Sequence, residues 1–204
     1  MFAGCSNLTA VSFPRAQTIG GYAFNNCTNL TTVSFPQATL IKEGAFNNCT
    51  KLTTVSFPRA AVINGYAFSS CTNLTTINLS QIVTVYNNTF QNCTNLTTVS
   101  LPRVVTVYNN AFNNCTNLAT ISLPRVQTIS GYGVFNNCYN LMALYLTGPS
   151  VCTLTNSSIF QSTPFDIYWT STNTYGSIYV PASLLTQYQS ATNWAYFSSR
   201  FVGI

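Results

Sequence analysis

Residues 23–44 read AFNNCTNLTTVSFPQATLIKEG, and the same 22-residue phrase recurs with small changes along most of the chain. Cysteines fall at 5, 27, 49, 71, 93 and 115, then at 138 after one inserted residue. Phe2, Phe24, Phe46, Phe68, Phe90, Phe112 and Phe135 keep one phase, and Leu8, Leu30, Leu52, Leu74, Leu96, Leu118 and Leu141 keep another. A fixed period of this length marks a solenoid. Each repeat is one coil, and residues of equal phase stack in straight files.

Each coil has its own physical logic. In the segment Leu30 to Phe35, Leu30, Val33 and Phe35 face one side while Thr32 and Ser34 face the other, as the period of a strand requires. Pro36 has no amide hydrogen and ends that strand. A second short extended segment is predicted near Leu40-Ile41, followed by a tight turn. At that turn stand Gly20-Gly21, Glu43-Gly44, Asn64-Gly65, Asn87-Asn88 and Asn109-Asn110, residue types that tolerate a positive φ. Two columns also vary together. Phe13, Phe35 and Phe57 are followed three residues later by Ala16, Ala38 and Ala60, whereas Leu79, Leu101 and Leu123 are followed by Ile82, Val104 and Val126. Large plus small gives way to medium plus medium, which conserves volume inside a packed core.

The run Cys-Thr-Asn-Leu-Thr-Thr-Val-Ser-Phe-Pro, followed by Ile and Ala-Phe, resembles the BspA-like (treponemal-type) leucine-rich repeats. It covers residues 2 to about 147 in seven copies. The segments Ile178-Tyr179-Val180-Pro181-Ala182-Ser183-Leu184 and Ala191-Thr192-Asn193-Trp194 resemble the closing part of many such proteins. The resemblance implies a mainly β, right-handed leucine-rich-repeat solenoid of 22-residue coils with a parallel sheet and a short C-terminal helical cap. It also implies a place among bacterial surface, secreted or phage proteins, and it brings no catalytic residues. Residues 1–147 are expected to form the repeat array and 148–204 a degenerate last coil and cap. The chain opens inside a repeat, so further coils upstream are expected, and the exposed core edge at Phe2 and Leu8 predicts end-to-end association.

In the cap, Phe160 is expected to begin an eighth coil and Ile178 to Val180 to form a last strand. Pro181 suits the first turn of a helix that carries Leu184, Leu185 and Tyr188. Asn193 is expected to cap a second helix with Trp194, Phe197 and Phe201 on one face. A lid over the last coil is the plain reading; an aromatic pocket around Trp169 and Trp194 is the functional one.

Composition narrows the function. Only 4% of the residues are charged, with seven Lys and Arg against Glu43 and Asp166, a net charge of +5. No apolar run reaches the ~18 residues that span a bilayer, so no membrane insertion is expected; no nucleic-acid partner is expected either. The chain has no His, and its two carboxylates lie far apart in sequence. That removes Ser-His-Asp, Cys-His and paired-carboxylate chemistry. No Gly-rich phosphate loop precedes a helix. No enzyme, cofactor or metal is expected.

Seven of the eight cysteines lie in one file. Their β-carbons should sit about 4.8 Å apart, beyond the ~3.8 Å that a disulfide prefers, and a single file without His does not converge into a zinc tetrahedron. Buried reduced thiols are expected, with Cys152, off the ladder, the most reactive. The asparagines are expected to satisfy backbone groups in the turn between Phe and Leu.

Three surface columns are candidates for ligand binding. Arg15, Arg59, Arg103 and Arg125 follow the strand-ending position, with Gln37 and Gln81 between them. They form either an anion site or a solubilising ridge. Tyr86 and Tyr108 occupy adjacent coils, as a sugar-stacking platform or as cover for the turn. Thr32, Ser34, Thr54, Ser56, Thr76, Thr98 and Ser100 line the outer side of the strands, as a contact surface or as residues that suit strands sterically. The leading expectation is a surface or secreted module that binds a protein or glycan; the alternative is a spacer or tail-fibre-like element.

Overall fold

The computed structural model describes residues 2–166, 168 and 174–204. It is a stack of coils built from short parallel strands. A first ribbon is formed by Ala10–Ser12, Thr32–Ser34, Thr54–Ser56, Thr76–Asn78, Thr98–Ser100, Thr120–Ser122 and Ala143–Tyr145. Partners along it differ by one repeat, as in Ala10 with Thr32 and Thr54 with Thr76. A second ribbon of two-residue strands runs from Thr18–Ile19 through Leu40–Ile41, Val62–Ile63, Thr84–Val85, Thr106–Val107 and Thr128–Ile129 to Thr153–Leu154. A third line of backbone pairing follows the turn: Phe24 N–H donates to Ala45 O (2.8 Å) and Asn26 N–H to Asn47 O (2.9 Å). Each coil is thus hydrogen-bonded to the next on three sides. That answers the demand of its buried amides for partners.

The files predicted from phase are present. Phe24 through Phe135 and Phe160 form one continuous stack, with ring centroids 5.4 to 5.8 Å apart from neighbour to neighbour. The covarying columns, including Phe35, Ala38, Leu79 and Ile82, lie in the same buried cluster. Phe160 begins an eighth coil by stacking on Phe135 at 5.5 Å.

Each coil makes two left-handed turns, and their places correct the sequence reading. The first falls on Tyr22, Gly44, Tyr66, Asn88, Asn110 and Gly133. In the first and third coils it therefore lies on the tyrosine after Gly20-Gly21 and Asn64-Gly65, and not on the glycines. The second falls on Gly4, Asn26, Asn48, Ser70, Asn92, Asn114, Asn137 and Ser162, which explains the second residue of the recurring Asn-Asn pair. The inserted residue before Cys138 is absorbed at Gly131, where φ is +91° and a Cβ would collide with the Asn109 side chain. Asn109 Oδ1 instead accepts from Tyr132 N–H at 2.9 Å.

The cap closes the interior. Strand Ser177–Val180 pairs with Ala143–Tyr145. A 3-10 turn, Ala182–Leu184, leads into the helix Leu185–Ser190, and a second 3-10 segment spans Ala195–Arg200. Phe197 meets the last ring of the stack edge-on, 5.1 Å from Phe160. The cap also takes over the hydrogen bonds that another coil would make: Cys152 N–H donates to the Tyr188 hydroxyl (2.9 Å), and Trp194 Nε1–H to Cys152 O (2.6 Å). Two expectations fail here. Asn193 is no helix cap; it is left-handed, and its amide donates to Leu154 O at 2.7 Å. Phe201 is not helical, because Phe201–Gly203 forms a final parallel strand against Ser177–Val180. Trp194 is fully buried in the cap, and Trp169 lies outside the described residues.

Candidate interaction surface

The motif Cys-Thr-Asn-Leu-Thr-Thr separates into residues that hold coils together and residues left for solvent. Each thiol from Cys27 to Cys138 donates to the carbonyl of a phenylalanine in the preceding coil, for example Cys71 Sγ to Phe46 O and Cys93 Sγ to Phe68 O, both 3.1 Å. The Thr50, Thr72, Thr94 and Thr116 hydroxyls donate to the carbonyl of the threonine one coil back. Thr31, Thr75 and Thr97 do the same beside the first ribbon. The asparagine amides mostly bond one another instead of the turn backbone: Asn47 donates to Asn25 (2.9 Å), Asn48 to Asn26 (2.7 Å) and Asn114 to Asn92 (3.0 Å).

Outside these ladders lie the candidate residues. Thr32, Ser34, Thr54, Ser56, Thr76, Thr98 and Ser100 are all exposed on the outer side of the first ribbon. Thr32 shares a 3.5 Å contact with Thr31. Among the described residues, the hydroxyls of the other six have no hydrogen-bond partner within the chain. These columns therefore differ from their threonine neighbours in a way that sequence alone does not show.

The arginine column is exposed throughout. Arg59 Nη1 donates to Gln37 Oε1 at 2.5 Å, and Arg103 Nη1 to Gln81 Oε1 at 2.8 Å. Each of these guanidinium groups turns towards the glutamine one coil back, so Arg103 points away from Arg125. Tyr86 and Tyr108 stack at 6.0 Å with ring planes 16° apart. One face of each ring is turned to the other, and both side chains remain exposed.

One feature escaped the sequence reading. Val62, in the strand Val62–Ile63, is 40% exposed, and Val83, just before Thr84–Val85, is 48% exposed. The signal was available: Ala61-Val62 and Val83-Thr84 stand where the first and sixth coils have Gln17-Thr18 and Gln127-Thr128.

The thiols are ranked opposite to expectation. Cys152 is buried, its thiol pushed up to about 12 by burial, whereas Cys5 in the first coil is exposed. Reactivity requires an accessible thiolate. At low protein concentration and neutral pH, a thiol-specific disulfide reagent is expected to modify Cys5 alone within minutes, and all eight thiols only after denaturation. Rapid modification of Cys152 in the folded chain would contradict this assignment. Among the described residues no group of three His, Cys, Asp or Glu side chains converges to hold a metal. Among the described residues no helix is long and apolar enough to cross a membrane.

Parallel two-ribbon coils, a phenylalanine stack and a capped end define a leucine-rich-repeat solenoid. The family model described as BspA type leucine rich repeat region matches residues 1–87 and 40–166 in six copies, and the chain belongs to that family. Among solved structures it is similar to the leucine rich repeat protein TpLRR of Treponema pallidum, at 35% identity and a TM-score of 0.63, covering 69% of this chain and 68% of that one. It is also similar to a leucine rich cell surface protein of Faecalibacterium prausnitzii A2-165, at 25% identity and a TM-score of 0.66 over 86% of this chain. The chain spans 55% of the length of that second protein. No protein of curated function matches the sequence.

Proposed function

We propose that the chain is a non-catalytic recognition module of a bacterial surface or secreted protein, taking a protein or glycan ligand on the outer side of the first ribbon and the adjoining arginine edge. The observation that carries this reading is the set of unengaged hydroxyls on Ser34, Thr54, Ser56, Thr76, Thr98 and Ser100. They stand on a rigid ladder whose own backbone and neighbouring threonines are already satisfied, so ordering them for a ligand costs little conformational entropy. The arginines add charge to that edge. Their hydrogen bonds run to neutral glutamines, and their positive field remains free to attract an anionic group.

Screening the purified chain against glycan and host-protein arrays tests the reading. For any ligand found, the double variant Arg103→Ala/Arg125→Ala is expected to weaken binding about tenfold or more, with the loss shrinking as salt is raised. Unchanged affinity removes the arginine edge from the site. A spacer or tail-fibre-like element is the second reading, favoured by the uniform side-chain ladders that stiffen the stack. It predicts no ligand on either array.

A further inference from the structure

We propose that the outer side of the first ribbon holds a single pyranose unit of a glycan against the ring of Tyr145, above Ser122. The inference rests on the recognition role given to that surface and narrows its ligand to a sugar. From Thr32–Ser34 to Thr120–Ser122 the outward positions of the ribbon carry short hydroxyl or amide side chains. At the next strand, Ala143–Tyr145, the second outward position becomes an aromatic ring. Tyr145 is in register with Ser122 on one side and with Tyr179 on the other, and Tyr179 in turn with Val202. The two tyrosine rings stack at 4.6 Å with their planes 11° apart. Tyr179 therefore covers one face of Tyr145. The other face looks along the ribbon towards Ser122, whose side chain is too short to cover it.

The open place has room for one ring. Neighbouring strands lie about 4.8 Å apart and stacked rings prefer centroid distances of about 4.5–7 Å, so a ring over the Ser122 rung continues the tyrosine stack. The floor beneath it is polar. Thr120 and Ser122 are exposed, and among the described residues neither hydroxyl, nor that of Ser100 one repeat back, has a hydrogen-bond partner within the chain. A pyranose complements both parts. With mostly equatorial substituents its face presents weakly positive axial C–H groups, which suit the negative face of the tyrosine ring. Its hydroxyls lie around the rim and both donate and accept, as those of Ser100, Thr120 and Ser122 do. An aromatic side chain from a protein partner would fill the ring's place but cut the floor hydroxyls off from water without replacing their hydrogen bonds, which is costly.

The test is a glycan array whose terminal units span gluco-, galacto-, manno- and N-acetylated hexopyranoses, with immobilised glucitol as an acyclic polyol control. The parent chain is expected to bind at least one cyclic terminus and not the acyclic polyol. Tyr145→Ala is expected to weaken that binding about fivefold or more, and Tyr145→Phe, which keeps the ring, by less than about twofold. Ser122→Leu changes an exposed strand position, lays an aliphatic side chain over the free ring face and is expected to lose as much as Tyr145→Ala; circular dichroism checks that each variant folds. Equal losses in Tyr145→Phe and Tyr145→Ala overturn the inference. So does glycan binding that Tyr145→Ala and Ser122→Leu leave unchanged, or a chain that binds only a protein; in these last two cases the outer ribbon keeps its recognition role. A chain that binds nothing on glycan or protein arrays overturns both readings together.

Discussion

Raised from pH 7 to pH 10, the chain is expected to lose its fold cooperatively. Burial pushes the thiols of Cys93, Cys138 and Cys152 up to about 12 and those of Cys49, Cys71 and Cys115 upward as well. Hydrogen bonds to backbone groups partly offset that rise, but five of the six also use their proton to reach a phenylalanine carbonyl, as Cys115 does to Phe90 O at 3.2 Å. In the unfolded chain these thiols ionise near 9.0. Between 9 and 12 the unfolded state therefore gives up protons that the folded state keeps. Stability is intact below pH 9 and falls as pH rises through that window. At pH 10 each thiol costs the fold on the order of 1 kcal/mol, and the six together several kcal/mol. A domain with a typical stability of ~5–15 kcal/mol has little left. Urea midpoints followed by circular dichroism at half-unit steps from pH 7 to 10.5 give the measurement, and midpoints that stay level from pH 8 to 10 would contradict it.

The second large effect separates one file by position. Phe90 is fully buried, 5.8 Å from Phe68 and 5.4 Å from Phe112. Phe90→Ala removes the ring from the middle of the stack and is expected to destabilise by about 4 kcal/mol. Because each coil is supported only by its neighbours, the coils on either side of the break should also unfold less cooperatively, with a broader transition. Phe2→Ala deletes the same side chain from the same file where it is 40% exposed, and is expected to cost about 1 kcal/mol. Equilibrium unfolding in urea measures both. Equal losses at the two positions would mean that the stack is not a continuous interior.

What could be read from the sequence depends on whether a position is governed by its own coil or by the next one. Phase alone identified the Phe, Cys and Leu files, because burial selects the same residue type at each rung. Left-handed turns were placed on the residue types that prefer them. The backbone put two of them on Tyr22 and Tyr66, since the ladder from coil to coil fixes the turn geometry whatever side chain stands there. The roles of the threonines were hidden for the same reason. Thr31 and Thr32 are adjacent and alike in sequence, yet the Thr31 hydroxyl donates to Thr9 O in the coil before while Thr32 faces outward. Cys152 looked reactive because it is off the ladder. The cap that buries it comes from residues 188 to 194, roughly 40 positions later. The final strand Phe201–Gly203 was masked by aromatic spacing that also suits a helix.

The central claim is that residues one repeat apart stand one strand spacing apart, along the whole array. Spin labels on the outer ribbon, introduced as Thr32→Cys with Thr120→Cys and as Thr32→Cys with Ala143→Cys in a Cys5→Ser background, measure it by electron–electron distance. Four and five rungs predict backbone separations of about 19 Å and 24 Å, increasing by one strand spacing. Distances that fail to increase in that step, or that spread broadly, would show that the coils do not stack in register.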